Sequence, residues 1–148
     1  MSDLNIRPLI RRFVPNDEAA VTALWNEVFA GDPPWNQPAA LIRRKATVQP
    51  ELFLVAETEG ALVATVLAGF DGVRGWIHHL AVAPSQRRRG IATALMNAAE
   101  AGLTQLGCPK VNLQVRASNA AVVAFYRALG YAVEERVSMG KRLAPGSG

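Results

Sequence analysis

The sequence of 148 residues contains one cysteine, Cys108, and two histidines. A single cysteine excludes an internal disulfide framework and any metal site that needs several cysteines. Cys108 lies between a predicted helix and a predicted strand, where a free thiol of ordinary reactivity is favoured over a nucleophile. We therefore expect neither a disulfide nor a metal cofactor.

A long apolar run is also lacking, although half of the residues are apolar. No stretch approaches the roughly 18 residues of a membrane span, and charges occupy the N-terminal positions at which a signal peptide would be apolar. We expect a cytoplasmic protein without a membrane partner. Residues 1–143 are sufficient for one domain with a hydrophobic core, and the Pro, Gly and Ser content of residues 144–148 predicts a disordered tail.

The net charge of +4 indicates an anionic ligand or partner. Arg87, Arg88 and Arg89 are three contiguous arginines, whereas most of the other cations are scattered or paired along the chain. Aromatic residues of the kind that stack on single-stranded bases do not accompany the arginines. The distribution favours a local anion site, and we expect no nucleic-acid partner.

Hydrophobic periodicity predicts six strands and four helices in the order β-α-α-β-β-β-α-β-α-β. The predicted strands are residues 5–12, 52–58, 61–70, 74–82, 111–115 and 131–139. The helical patterns centre on residues 21–28, 38–46, 91–106 and 122–129, and Gly107 and Gly130 end the last two. The order predicts an α+β (mixed α/β) sandwich, in which about four helices flank a largely antiparallel, twisted sheet of six to seven strands.

The segment from Gln86 to Ala92 joins a predicted strand to a predicted helix and places cations and Gly90 at the helix N-terminus. The first N–H groups of a helix have no intrahelical partner, and the helix dipole makes this end positive. Gly90 lets phosphate oxygens approach the backbone, and the small Ala92 leaves room beside it. The spacing favours a diphosphate site, with a solvated arginine run that caps a surface helix as the alternative.

Two motifs carry a family resemblance. The run Arg87-Arg88-Arg89-Gly90-Ile91-Ala92 fits a signature of Arg or Gln, two residues, Gly, one residue, then Gly or Ala. In residues 116–131, Asn119 is followed by Phe125-Tyr126 and then by Leu129-Gly130-Tyr131. Both motifs resemble those of the GCN5-related N-acetyltransferase (GNAT) family, and most of the chain is similar to its small bacterial YpeA-type members.

The resemblance implies an acetyl-CoA-dependent N-acetyltransferase that acts by direct attack of a primary amine, on a small molecule or a peptide, without a metal. It implies a bulged fourth strand whose backbone pairs with pantetheine, and Tyr126 as the general acid that protonates the departing thiolate. Packing in the core is the alternative role for Tyr126, and helix capping for Asn119. The residues implied to bind coenzyme A are Leu80, Ala81, Val82, Arg87, Arg88, Arg89, Gly90, Ile91, Ala92, Asn119 and Tyr126.

A general base is harder to assign. Some relatives, such as the ribosomal-protein alanine acetyltransferases, have a glutamate where this chain has Gln114, which cannot take up a proton. His78 is the catalytic candidate, because arylalkylamine acetyltransferases have a histidine at the corresponding place and imidazole titrates in the useful range. Alternation along the strand predicts that His79 faces the opposite side of the sheet. Deprotonation by an ordered water remains the alternative.

The acceptor is expected to bind at the first two helices, their connecting loop and the strand hairpins. Aromatic and acidic side chains there would suit a cation, although core tryptophans and solvent-facing charges would produce the same pattern. A non-catalytic acyl-CoA-binding or sensing module is the alternative function, and a nucleic-acid binder ranks below it. Small members of the family are often dimers, so a homodimer is also open. The candidate acceptor residues are Trp25, Glu27, Asp32, Trp35 and Asn36.

Overall fold

The computed structural model describes residues 7–143. Within this range, residues 7–113 and 114–143 form two compact units. The first contains β1 (Leu9–Arg12), α1 (Glu18–Val28), α2 (Pro38–Lys45), β2 (Phe53–Thr58), β3 (Ala61–Phe70), β4 (Gly75–Val82), α3 (Ile91–Gln105) and β5 (Val111–Leu113). The second contains α4 (Ala120–Ala128). The organisation of residues 1–143 as one domain stays a prediction.

The five strands form one sheet in the order β1-β2-β3-β4-β5. Strands β1 to β4 are antiparallel neighbours, and β5 is parallel to β4. Glu59 and Gly60 both have positive φ, as a two-residue hairpin between β2 and β3 requires. At the next hairpin, a carboxylate oxygen of Asp71 accepts hydrogen bonds from the N–H groups of Val73 and Arg74.

The sequence correctly predicted the mixed α+β class, the four helices and the largely antiparallel sheet. The predicted count of six to seven strands is wrong, because the described residues form five. Residues 131–139 show the alternation of a closing strand but pair with no strand, and Val137 and Met139 are almost fully exposed. Alternation alone does not form a strand without a neighbouring strand that pairs with its backbone. Residues 5 and 6 and the predicted tail 144–148 lie outside the described residues.

Helices cover both faces of the sheet. Residues Phe53 to Ala56 of β2 are all buried, and consecutive strand residues point to opposite faces. Phe53 and Val55 pack in one cluster with Val21 and Trp25 of α1 and with Ile42 of α2. Helix α3 contacts β2, β3 and β4 and contributes a second buried stripe. This stripe consists of Ile91, Leu95, Met96, Ala99 and Leu103.

A β-bulge interrupts β4 at the point where the strand approaches α3. His78 pairs with Leu67 of β3, but the next paired residue, Ala81, is opposite Thr65. His79 and Leu80 therefore both stand opposite one residue of β3, and His79 adopts a left-handed conformation with φ of 48°. Such a bulge leaves one residue out of the ladder and redirects the side chains around it.

Two buried hydrogen bonds hold the bulge. The indole N–H of Trp25 donates to Thr65 Oγ1 at 2.8 Å, and the same hydroxyl donates to the backbone carbonyl of His79 at 3.0 Å. Thr65 is fully buried and Trp25 is 2% exposed. A threonine hydroxyl has one donor and can accept, so this single group satisfies both partners.

Replacing Thr65 with valine keeps the volume of the side chain and removes its hydroxyl. We expect Thr65→Val to lower the free energy of unfolding by about 1–3 kcal/mol, because the indole N–H and the carbonyl of His79 lose their partner in a buried site. Thr65→Ser is the matched control, since it keeps the hydroxyl and loses only a methyl group, which costs about 1 kcal/mol. Urea denaturation would measure both. A valine variant at least as stable as the serine variant would contradict this account.

Candidate active site

The segment 87–90, here called the arginine turn, links the end of β4 to the N-terminus of α3. Arg87 Nε donates to the carbonyl of Val82 at 3.3 Å, which ties the turn to the strand. Arg89 Nη1 donates to Gln86 Oε1 at 3.1 Å. Arg87 and Arg88 are exposed, so their charges face solvent at the start of the helix.

Gly90 is the N-cap of α3 and has φ of 77°. A Cβ at this position would meet no atom within 4 Å, so only the backbone conformation, and no packing contact, requires glycine. The N–H groups of the first turn of α3 lack intrahelical acceptors, and the helix dipole adds positive potential there. This N-terminus can therefore accept phosphate oxygens.

The edge of β4 is open next to this turn. Strand β5 pairs only with Gly75, Trp76 and Ile77 of β4. Within residues 7–113, the part of β4 from His78 to Val82 has no strand partner on that side. Its backbone can therefore hydrogen-bond to an extended ligand, as an edge strand does.

The two histidines do not lie on opposite faces of the sheet, so that prediction is wrong. His78 and His79 both line a cavity of about 440 Å³. The physical reason is the bulge, because the left-handed φ of His79 breaks the alternation of side chains along β4. A regular period of two cannot anticipate a bulge.

His79 is a site residue that the sequence did not single out. Its Nε2 lies 3.4 Å from Asp32 Oδ2, and its side chain is only 12% exposed. The ring makes an edge contact with Trp25 and a tilted contact with Phe29. Burial lowers the pKa of His79, against the opposing effect of Asp32. In the sequence, only the adjacency of His79 to His78 pointed to a role for His79. The local pattern did not predict that both side chains would line the same cavity.

His78 is exposed at the wall of the larger cavity. Loss of hydration lowers the pKa of its imidazole, and the nearby charge of Lys45 lowers it further. A lowered pKa leaves the imidazole neutral at pH 7, which is the form that can accept a proton. Glu57 of β2 makes an ion pair with Arg11.

A second cavity, of about 260 Å³, adjoins the loop between α1 and α2. Three of the five predicted acceptor residues line it, namely Trp25, Asp32 and Asn36. Glu27 and Trp35 line neither of the two cavities, and both are exposed. The sequence could place all five near one loop, but only packing decides which side chains turn inward.

In residues 114–143, Tyr126 is 8% exposed and makes edge contacts with the rings of Phe125 and Tyr131. Burial raises its pKa to about 12, so the hydroxyl stays protonated at neutral pH.

Asn119 Oδ1 accepts a hydrogen bond from the N–H of Val122, and this caps α4. Its alternative role as a helix cap is thus observed. Gln114 Nε2 donates to Ser138 Oγ at 2.6 Å.

The model of the acetyltransferase (GNAT) family matches residues 19–131. The chain belongs to this family. Acetyltransferase YE1169 of Yersinia enterocolitica is 44% identical over 134 residues, which cover 90% of this chain and 94% of the relative. The protein is accordingly an N-acetyltransferase, and the arginine turn and the bulged β4 described above are parts of a GNAT domain.

Solved structures show the same fold. Ard1 from Thermoplasma volcanium is similar with a TM-score of 0.74 and 24% identity, over 86% of this chain and 84% of that one. The aminoglycoside N-acetyltransferase AAC(6')-Iy, in complex with the bisubstrate analogue CoA-S-monomethyl-acetylneamine, is similar with a TM-score of 0.75 and 21% identity. The match to AAC(6')-Iy covers 93% of this chain and 99% of that one.

Two kinds of feature are absent from residues 7–143. No helix in this range is long and apolar enough to cross a membrane. No group of three or more histidine, cysteine, aspartate or glutamate side chains in the same range is arranged to hold a metal ion.

Proposed function

We propose that this acetyltransferase transfers the acetyl group of acetyl-CoA to a primary amine of a small molecule or peptide, by direct attack of the amine on the thioester. The observation that carries the proposal is the arrangement at the end of β4. There an open strand edge leads, through the arginine turn, into the N-terminus of α3. AAC(6')-Iy, which has the same fold, holds a coenzyme A bisubstrate analogue.

Most of the proposed contacts with the coenzyme are made by backbone groups. The N–H groups around Gly90, Ile91 and Ala92 would bind the diphosphate, with Arg87, Arg88 and Arg89 supplying positive charge. The backbone of Leu80 to Val82 would pair with the pantetheine arm. In residues 114–143, Asn119 and Tyr126 are the proposed coenzyme contacts. The capping bond of Asn119 uses its oxygen, so its amide N–H₂ could still donate to a ligand.

Acetyl transfer requires stabilisation of the oxyanion that forms when the amine attacks the carbonyl carbon. A backbone N–H that the bulge withdraws from the ladder can donate to this oxygen. The amine must also be neutral to attack. His78 is the proposed base, because it lines the larger cavity and its pKa lies below the ordinary value of 6.5.

Tyr126 is the proposed acid that protonates the coenzyme thiolate as the carbon–sulfur bond breaks. Its raised pKa keeps the proton on the hydroxyl until the thiolate forms. Within residues 114–143 the hydroxyl makes no hydrogen bond, so no neighbour there competes for the proton. These two facts support the role.

Gly90→Ala is expected to weaken acetyl-CoA binding about tenfold or more, because a Cβ at the helix N-terminus would obstruct the phosphate oxygens and strain the left-handed backbone. Gly107 is a matched control at the other end of α3, with φ of 82° and equally open surroundings. Gly107→Ala should cost similar stability, about 1–2 kcal/mol, and leave affinity unchanged. Calorimetric titration and thermal unfolding would measure both effects, and equal affinities would place the phosphate elsewhere.

Tyr126→Phe is expected to lower kcat about 10²–10⁴-fold, with little change in the KM for acetyl-CoA. Stability should change by less than about 0.5 kcal/mol, because the lost hydroxyl has no partner within residues 114–143. Tyr131→Phe, which alters the other tyrosine of the chain, is the control and should keep its activity. Release of the coenzyme thiol would report the rates. A phenylalanine variant as fast as the parent would exclude Tyr126 as the acid.

The proposed base predicts a pH profile. Because His78 must be neutral and its pKa is lowered, kcat/KM should be on a plateau at pH 7 and should fall as the pH drops below about 6.5. His78→Gln should reduce the rate about 10²-fold and abolish this acidic limb. If instead His79→Gln removes the limb and His78→Gln does not, the base is His79.

A further inference from the structure

The two cavities beside β4 meet at shared side chains and carry opposite charges. Asn36 and His79 line both of them. The smaller cavity contains the carboxylate of Asp32, whereas the larger contains the cations of Arg44 and Lys45. The larger volume, about 440 Å³, lies within the range of about 300–1,000 Å³ that is typical of small-molecule sites.

The acidic end consists of Asp32 next to His79. The Asp32 side chain is 21% exposed, and its Oδ2 lies 3.4 Å from Nε2 of His79. Burial keeps this imidazole neutral, so it does not cancel the carboxylate charge. The aromatic rings of Trp25 and Phe29 lie on the same wall. A carboxylate among aromatic rings attracts an ammonium group.

The basic end is built by the last turn of α2. Lys45 is half-buried, and its ammonium donates to the carbonyl of Ala68 at 2.5 Å. Lys45 makes no ion pair within the described residues, and burial lowers its pKa against the opposing effect of Glu51. Arg44 adds a second cation at the same cavity and is anchored to the carbonyl of Trp35 at 3.0 Å.

The one acid of the larger cavity does not neutralise these cations. Asp71 uses one oxygen to accept from the N–H groups of Val73 and Arg74, and its other oxygen accepts from the indole of Trp76 at 3.2 Å. These hydrogen bonds hold the carboxylate of Asp71 within its own hairpin. A partly buried ammonium without a paired carboxylate is unfavourable, and an anionic group of a ligand would supply the missing counter-ion.

We infer that the acceptor is a small bipolar molecule, with its amine directed to the side of Asp32 and the histidines and an anionic group bound by Lys45 and Arg44. The inference rests on the proposed function and specifies its substrate class. An amino acid has this chemistry, with a short separation between amine and carboxylate. The apolar side chains of Leu67, Phe70 and Trp76 in the same cavity would accept an apolar body.

The short separation is consistent with the position of Lys45 relative to His78. Lys45 is near enough for its charge to act on the imidazole. Lys45 and His78 also line the same cavity, so a small molecule whose amine lies near His78 can carry its anionic group to Lys45. A polycation such as an aminoglycoside would instead bring additional ammonium groups against Lys45 and Arg44, and these like charges disfavour it.

A matched set of acceptors tests the inference. The rate of coenzyme thiol release would be measured with L-phenylalanine, its phosphonate analogue, L-phenylalaninamide and neamine. We expect kcat/KM for the two anionic amines to exceed that for the amide by about tenfold or more, through KM. Neamine should be the poorest acceptor. Preference for the carboxylate over the phosphonate, or the reverse, would identify which anion the site takes.

Variants at the last turn of α2 provide the second arm. Lys45→Met should raise the KM for L-phenylalanine about tenfold or more and leave that for the amide within about twofold, whereas Lys45→Arg should restore most of the preference. Arg43→Met is the control, because Arg43 is an exposed cation of the same turn that lines neither cavity. A merely structural role for Lys45 would change the KM for both acceptors equally.

Failure of the inference and of the proposed function would differ. If the kcat/KM for the amide or for neamine equals that for L-phenylalanine, or if Lys45→Met changes the KM of all acceptors alike, the inference is overturned while the acetyl transfer stands. If no amine is acetylated and acetyl-CoA does not bind, the proposed function fails. In that case calorimetric binding of L-phenylalanine, present in the parent and lost in Lys45→Met, would still support the bipolar site, and its absence from both would refute it.

Discussion

One buried hydroxyl, that of Thr65, holds the arrangement on which the site depends. It accepts from the indole of Trp25 and donates to the carbonyl of His79, and so connects the first helix to the bulge of β4. The left-handed backbone of His79 is costly for a residue other than glycine and persists because its surroundings determine it.

The bulge has consequences on both sides of β4. Towards the helices α1 and α2, it brings His78 and His79 to one cavity, where loss of hydration lowers the pKa of each imidazole and favours its neutral form. Towards the arginine turn, it withdraws a backbone group from the ladder of β3 and β4, at a strand edge that β5 does not cover. A single irregularity therefore prepares both a candidate base and a candidate coenzyme edge, because a bulge changes the direction of side chains and backbone together.

The positive charge of this acetyltransferase is concentrated at particular places in the structure. The net charge of +4 includes two separate cationic places in residues 7–113, the arginine turn and the last turn of α2. The first is exposed, so solvent screens it, and a helix N-terminus reinforces it. The second is partly buried, so Lys45 experiences a lower dielectric and interacts more strongly with any anion that enters. Under the proposed function, the first cationic place would bind the coenzyme, and the second would discriminate among small acceptors.

The sequence by itself determined the class of fold, the bounds of α2, β2, β3, β4 and α3 to within about one residue, and the arginine turn, because helix and strand periods and glycine at positive φ are local properties. Local pattern also predicted a strand at residues 131–139 that does not form, since pairing is not local. Only the tertiary structure decided that His79 and His78 line one cavity, that Asp32 lies next to His79, and that Lys45 makes no ion pair within residues 7–143. Those relations depend on a bulge and on packing between residues distant in sequence, and neither leaves a periodic signal.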